Sequence, residues 1–113
     1  MFDDLVSRCR AARIIVVGAT QKPATDVIPS RIRDNMAYRW AVRTTTSAAS
    51  DTILGDGMAS EGHDASTISD DTPGVGLLCA EDSIPNAIRS YFPLDEEDVE
   101  AVVDRGVALR ATA

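Results

Sequence analysis

The sequence of 113 residues lacks several features that would assign it to a common class of protein. Its two cysteines, Cys9 and Cys79, stand far apart without a C-x-x-C pair, which favours a reduced cytoplasmic protein over a disulfide framework. No apolar run is long enough to span a bilayer, and the N-terminus carries acids where a signal peptide would be apolar. A G-x-x-x-x-G-K-[ST] loop is also missing, so the sequence contains no phosphate cradle.

Basic residues are missing from one long part of the chain, between Thr44 and Ile88. Residues 1–43 hold eight Arg or Lys against four acids, whereas residues 44–113 hold three Arg against fourteen acids. The first part could therefore meet phosphates, while the second part would repel them. This distribution predicts a poor DNA binder in isolation, although the basic part could line a groove in an assembly.

Hydrophobic patterning predicts an α/β domain. The apolar run Ile14–Ala19 is typical of a strand buried on both faces, as in a parallel sheet. Alternation of apolar and polar residues predicts another strand at Tyr38–Val42, and residues 74–80 and 86–92 are expected to form an antiparallel pair. Residues 56–73 are rich in Gly, Asp, Ser and Thr and are expected to form a flexible loop.

Helices are predicted between these strands from their capping signals. Residues 2–9 carry an apolar helical stripe before the first strand. Asp26 is an N-cap candidate with Pro29 in the first turn, and Ser47 is the N-cap candidate of a helix that Gly55 ends. The last helix is expected to begin at Asp95 and to stop at Gly106.

Two other kinds of chemistry find little support. His63 with Glu61 and Asp64 offers one imidazole and two loop acids, which is not a closed set of metal ligands, so no metal site is predicted. Neither a G-x-S-x-G motif nor a cysteine with a histidine at motif spacing is present, which argues against nucleophilic catalysis.

The stretch "RCRAARIIVVGATQKPATDVIPSRIRDNMAYRWAVRT", followed by "DTILGDG", resembles the second half of the FtsK/SpoIIIE-type DNA translocase motor domain. The tail from Thr72 is similar to actinobacterial members, including plasmid-transfer translocases. The resemblance implies that residues 1–113 form the C-terminal half of a RecA-like P-loop motor domain. Its sheet would be mainly parallel with an added antiparallel strand pair, without the phosphate-binding loop and the acidic metal-binding strand.

The resemblance also implies roles for single residues. Gln21 matches the sensor glutamine, which together with Thr20 would contact nucleotide, and its alternative is a local backbone contact. Arg10 matches a trans-acting finger offered to a neighbouring subunit, although a solvated helix-end arginine fits as well. Where the family carries a glycine, this sequence has Arg13.

Three cations match family positions that would face DNA, and each also has a plain alternative as a surface or strand residue: Lys22, Arg33 and Arg39. The partners implied are double-stranded DNA and further copies in a ring, with a hexamer expected. ATP and Mg²⁺ would serve the intact motor, whereas the chain alone is predicted to hold no cofactor and to be inactive. A membrane would be reached only through segments outside this sequence.

The predicted function is therefore the C-terminal segment of an ATP-driven DNA translocase, acting in chromosome segregation and cell division or in conjugative plasmid transfer. Two alternatives stay open. The chain could be a stand-alone interaction module that docks on full-length motor subunits, because a truncated sheet leaves an edge uncovered. It could also belong to a ring ATPase that secretes protein, because basic residues are missing between Thr44 and Ile88.

Overall fold

The structure, a computed structural model, describes residues 2–81, 83–90 and 95–112, without the side chains of residues 2, 3, 9 and 10. Its helices and strands are, in chain order, α1 (Phe2–Ala12), α2 (Ser30–Asn35), β1 (Tyr38–Val42), α3 (Ser47–Leu54), a short 3₁₀ helix (Ala65–Thr67), β2 (Val75–Ala80), β3 (Asn86–Arg89) and α4 (Glu96–Ala111). The three strands form one sheet in the order β1-β2-β3.

The sheet confirms the α/β class but not the predicted parallel arrangement. Both strand pairs are antiparallel, with Ala41 opposite Leu77 and Leu77 opposite Ala87. The predicted strand at Tyr38–Val42 and the predicted antiparallel pair are confirmed within the described residues. A mainly parallel, RecA-like sheet is not shown.

The strand predicted over Ile14–Ala19 does not form in this structure. These residues belong to neither a helix nor a strand, and the side chains of Ile15 and Val17 are 90% and 89% exposed. A β-branched run favours a strand only where a neighbouring strand offers backbone hydrogen bonds and a surface to pack on. The prediction was therefore wrong about burial, because composition alone does not supply that neighbour.

The N-terminal caps of α2 and α3 differ from the predicted ones. α2 has Pro29 at its N-cap and begins at Ser30, while Asp26 lies in the preceding turn. α3 is capped by Thr46, whose hydroxyl accepts from the backbone N–H of Ala49 at 3.1 Å, so Ser47 is the first helical residue. The shift at α3 is one residue, because the neighbouring Thr46 and Ser47 can fill the same capping role. At α2 the N-cap is Pro29, which makes no side-chain capping hydrogen bond, so the predicted cap at Asp26 was wrong.

α4 confirms its predicted start and extends beyond its predicted end. The Asp95 carboxylate accepts from the backbone N–H of Asp98 at 2.8 Å, as an N-cap should. The helix continues through Gly106 to Ala111, since the good helix formers that follow outweigh the cost of one internal glycine, about 1 kcal/mol. Among the described residues, no helix combines the length and apolar character needed to cross a membrane.

The core lies on one face of the sheet. Ala41 of β1, Cys79 of β2, Leu54 of α3 and Ala65 of the 3₁₀ helix are fully buried. Four half-buried apolar residues pack around them: Ile53, Met58, Ile68 and Leu77. Part of the core thus comes from residues 56–73, the segment predicted as a loop, which consists largely of turns around the 3₁₀ helix. The flexibility of that segment stays a prediction.

Candidate functional site

The predicted sensor glutamine lies on a tight polar turn, residues Thr20–Lys22, which we call the sensor turn. The backbone N–H of Lys22 donates to the Thr20 hydroxyl at 3.2 Å, and that hydroxyl lies 3.4 Å from the Lys22 carbonyl oxygen. The Thr20 side chain therefore shapes the turn, while Gln21 and Lys22 are exposed. An exposed neutral amide can donate and accept hydrogen bonds with an incoming group.

A mostly apolar groove of about 490 Å³ runs beside the sensor turn and along the outer edge of β1. One wall is formed by residues 18–20 and the turn before α2, and the other by side chains of β1. The apolar side chains that line the groove include Val27, Ile28, Met36, Tyr38, Trp40 and Val42. Of the two residues predicted to contact nucleotide, Thr20 lines this mostly apolar groove and Gln21 follows it directly in the chain.

Arg33 is held inside the fold by two carboxylates. Its Nε donates to Asp34 at 3.0 Å and its Nη1 donates to Asp56 at 3.1 Å, with the Asp51 carbonyl oxygen at 3.4 Å. Burial disfavours the guanidinium charge, but the hydrogen bonds to Asp34 and Asp56 outweigh it and leave the pKa of Arg33 raised. These contacts tie α2 to the turn after α3.

The turn after α3 is fixed by a third carboxylate, that of Asp51. Asp51 accepts from the backbone N–H groups of Gly57 at 3.2 Å and Ala59 at 2.8 Å. Gly57 has a φ of 86°, a conformation that glycine adopts without steric cost. Sequence reasoning read "GDG" (residues 55–57) only as turn glycines and missed the hydrogen bonds and ion pairs that Asp51 and Asp56 make here. The signal that could have indicated them is the acid in "GDG" together with Arg33 on the preceding helix.

Arg39 occupies the core-facing side of β1. It lies opposite Cys79, and its Nη2 lies 3.3 Å from the Cys79 sulfur, which in turn donates to the Ser83 carbonyl oxygen at 3.1 Å. Of the three cations predicted to face DNA, Lys22 is exposed, Arg39 is half-buried and Arg33 is buried. The structure does not bring them together on one exposed surface, and their contact with DNA stays a prediction.

The two remaining arginines of interest flank the end of α1. The backbone of Arg10 belongs to α1, but its side chain lies outside the described residues, so its predicted role as a finger stays a prediction. Arg13 follows the last residue of α1 with a φ of 56°. This left-handed conformation is the one that glycine favours after a helix, so the position retains the backbone geometry of the glycine it replaces in the family pattern.

Asp64, considered above as a metal ligand, is occupied by local hydrogen bonds. Its carboxylate accepts from the Ser47 hydroxyl at 2.5 Å and from the backbone N–H of Ser66 at 2.9 Å. Hydrogen bonds from Ser47 and then Ser66 lower the pKa of Asp64 below its ordinary value. In the part of the chain that the structure describes, no group of three or more His, Cys, Asp or Glu residues could hold a metal ion.

The sequence of this chain is similar to those of two curated proteins. No protein-family model matches the chain. Protein Tra of Streptomyces lividans is 33% identical over 109 residues, covering 91% of this chain and 17% of that protein. DNA translocase FtsK of Corynebacterium glutamicum is 33% identical over 106 residues, covering 94% of this chain and 11% of that protein. The chain thus spans less than a fifth of the length of either relative.

Proposed function

We propose, from the match of this chain to an FtsK/SpoIIIE-type C-terminal segment, that it works as part of an ATP-driven motor that translocates double-stranded DNA. The observation that carries this proposal is the extent of the match, more than nine-tenths of the chain in both relatives. The biological process would be chromosome partition in cell division or conjugative plasmid transfer, and the location cytoplasmic, with any membrane anchor supplied by other segments.

In this proposal the sensor turn reads the state of the nucleotide. Gln21 presents an exposed amide that could contact a γ-phosphate or orient the attacking water, while Thr20 shapes the turn that holds it. Among the described residues, the Gln21 amide is the contact proposed for the nucleotide, and neither a phosphate cradle nor an acidic cluster for Mg²⁺ is present. They therefore do not fit MgATP by themselves, and the cradle and the metal ligands would come from another part of the assembled motor.

Coupling between the sensor turn and the rest of the segment would pass through α2. The turn leads directly into the residues before α2, and Arg33 of α2 is bonded to Asp56 beyond α3. A displacement at Gln21 would therefore reach the loop after α3 through the ion pair between the buried Arg33 guanidinium and the exposed Asp56 carboxylate. Arg10, at the end of α1, would act in trans on a neighbouring subunit of a ring, which we propose to be hexameric.

Contact with DNA is proposed to rest mainly on Lys22. It is the exposed member of the three predicted cations, and an ammonium group neutralises a phosphate as a point charge. Arg33 is paired with Asp34 and Asp56, which favours a role in holding the fold together over contact with DNA. Arg39 lies on the core-facing side of β1, so DNA would have to approach that side of the strand to contact it.

The experiment that tests the nucleotide role replaces the matched stretch of Corynebacterium glutamicum FtsK with this chain and measures DNA translocation. We expect the substituted protein to move DNA, and Gln21→Ala in it to slow ATP hydrolysis by about 100-fold, the loss typical of removing one preorganised polar contact. Thr25→Ala, an exposed change four residues away, is the matched control. A substituted protein that assembles but moves no DNA, or equal rates for both variants, would contradict the proposal.

The experiment that tests DNA contact measures the affinity of the chain for a DNA duplex across a salt series. Lys22→Gln should reduce the slope of log affinity against log salt by about one, since one phosphate contact is lost. Arg33→Gln should leave the slope unchanged, because its guanidinium already faces two carboxylates. If neither the chain nor its Lys22→Gln variant shows salt-dependent binding to the duplex, the result would contradict DNA contact and support a protein cargo instead.

A second candidate function, an interaction module, is favoured by one observation. The side chains of Ile15 and Val17 are almost fully exposed, and β1 is an edge strand of the sheet. Such a surface can accept a strand of a full-length motor subunit by β-sheet extension. Hydrogen exchange that becomes slow across residues 14–19 only on addition of such a subunit would support this candidate.

A further inference from the structure

The sheet has an apolar face that its own core leaves open. Every second residue of β1, beginning at Tyr38, lies on the face opposite to the buried core. In the strand register Trp40 lies opposite Leu78 of β2, and Ile88 of β3 lies opposite Gly76 on the same side. One apolar surface therefore extends across all three strands. We call it the Trp40 face, and its apolar side chains are Tyr38, Trp40, Val42, Leu78 and Ile88.

The Trp40 face is open to solvent, and none of its side chains carries a charge. Tyr38 is 66% exposed, Val42 56% and Trp40 39%. Gly76 leaves room for the Trp40 indole to lie on β2, since a Cβ at this position would overlap the ring at Nε1. The face also forms one wall of the groove beside the sensor turn. A sheet face of this composition normally packs against a further layer of its own domain.

A second open apolar surface lies on α4. Every residue of this helix is exposed, although Val99, Val102 and Val103 recur at helical spacing. Gly106 continues this valine stripe, and a Cβ built on it would meet nothing within 4 Å, so the stripe has a notch that faces open space. A helix with an apolar stripe normally buries it against another element.

The charges of α4 leave the valine stripe free to be covered. Glu97 and Asp104 lie on the opposite side of the helix, because successive residues are rotated by about 100° around its axis. If the stripe were covered, both carboxylates would stay in solvent. Burial of the stripe therefore does not incur the cost of removing these charges from water.

Chain connectivity and length point from one surface to the other. Only residues 90–95 separate the end of β3, which carries part of the Trp40 face, from the start of α4. Elements joined by so short a connection normally pack against each other. The stripe from Val99 to Gly106 is about 10 Å long at 1.5 Å per residue, and three strands are about 10 Å wide. We propose that α4 is a strap that closes over the Trp40 face of its own chain.

The structure shows the open arrangement, in which α4 is exposed along its whole length. In the closed arrangement the valine stripe crosses the three strands, and the notch at Gly106 gives the Trp40 indole room to approach the helix. The strap then covers one wall of the groove, so a protein that docks there has to displace α4 first. The contact lies within one copy of the chain and needs neither nucleotide nor DNA, so it stands independently of the translocase proposal.

The direct test is an NMR measurement on the full chain, which contains a single tryptophan. We expect nuclear Overhauser effects between the Trp40 indole protons and the methyl groups of Val99, Val102 or Val103. A mixture of isotope-labelled and unlabelled chains shows whether these contacts lie within one copy. Absence of the contacts while α4 is helical, or contacts that join different copies, would overturn the proposal.

Matched variants then test the stripe itself. Val103→Asp should lower the ratio of closed to open chains about 100-fold, because closure would bury a carboxylate, and Trp40 emission should shift to the red. Ala101→Asp adds the same charge on the opposite side of α4 and should leave the emission unchanged. Val103 is 56% exposed, so its replacement removes no packing from the sheet, and circular dichroism should show the same fold. Equal shifts for both variants, or no shift for Val103→Asp, would contradict the strap.

Discussion

Two apolar segments of equal length, Ile14–Ala19 and β2 (Val75–Ala80), differ completely in what the fold does with them. β2 lies between β1 and β3, and its Cys79 is fully buried. Ile14–Ala19 has no strand beside it among the described residues, and Val17 is 89% exposed. The difference shows that a run of strand-forming residues becomes a strand when neighbours complete its hydrogen bonds and cover its side chains.

The same comparison separates the part of the chain that holds the fold from the part proposed to carry function. Residues 33–80 contain most of the core and the ion pairs of Arg33 with Asp34 and Asp56. Residues 14–22 contain the sensor turn and lie on the surface. Elements that must meet a nucleotide or another subunit can be exposed in one chain, because their packing partner belongs to the assembly.

The largest expected effect is a difference in stability between two variants, one that truncates an apolar side chain in the packed region and one that does so in the exposed segment Ile14–Ala19. Leu54→Ala should lower the free energy of unfolding by about 2–5 kcal/mol, because Leu54 is fully buried and its loss leaves a cavity. Val17→Ala should change it by less than about 0.5 kcal/mol, as for other exposed positions. Urea unfolding of both variants measures the contrast, and a large loss with Val17→Ala would mean that residues 14–19 are packed in solution.

A smaller effect is expected at the junction between α1 and the exposed segment. Arg13→Gly should raise the free energy of unfolding by about 1 kcal/mol, because glycine relieves the left-handed backbone with its φ of 56°. Thermal unfolding compares it with Arg13→Ala, which removes the same charge but keeps a Cβ. If both variants gain the same stability, charge and not backbone geometry explains the effect.

The smallest effect is expected within the packed region, at Asp64. Ser47→Ala should raise the pKa of Asp64 toward the ordinary value, because the hydrogen bond that contributes most to its lowering is lost. The lowered pKa means that the ionised carboxylate stabilises the fold above the ordinary aspartate pKa of about 3.9, and this contribution disappears as the pH falls further. NMR titration measures the shift, with Ser60→Ala as a control; an unchanged pKa would assign the lowering to Ser66.

Local sequence patterns predicted secondary structure correctly where a few neighbouring residues decide it. The acids at Asp95–Asp98 correctly predicted the start of α4, and the alternation of apolar residues correctly predicted β1. The end of α4 and the caps of α2 and α3 were placed wrongly by a few residues, since several neighbouring residues can fill the same role. The site residues matched by family resemblance remain untested predictions, and the structure adds that Gln21 and Lys22 are exposed.

The sequence by itself determined the α/β character, the division into a basic and an acidic part, and the position of the polar turn after an apolar run. Only the tertiary structure decided that Arg33 is buried between Asp34 and Asp56, that Ala65 joins the core from a loop, and that Trp40 lies over Gly76 on an open face. The physical reason is distance along the chain. Periodicity and caps act over a few residues, whereas Arg33 and Asp56 are 23 positions apart and Trp40 and Gly76 are still farther apart, and folding alone brings them together.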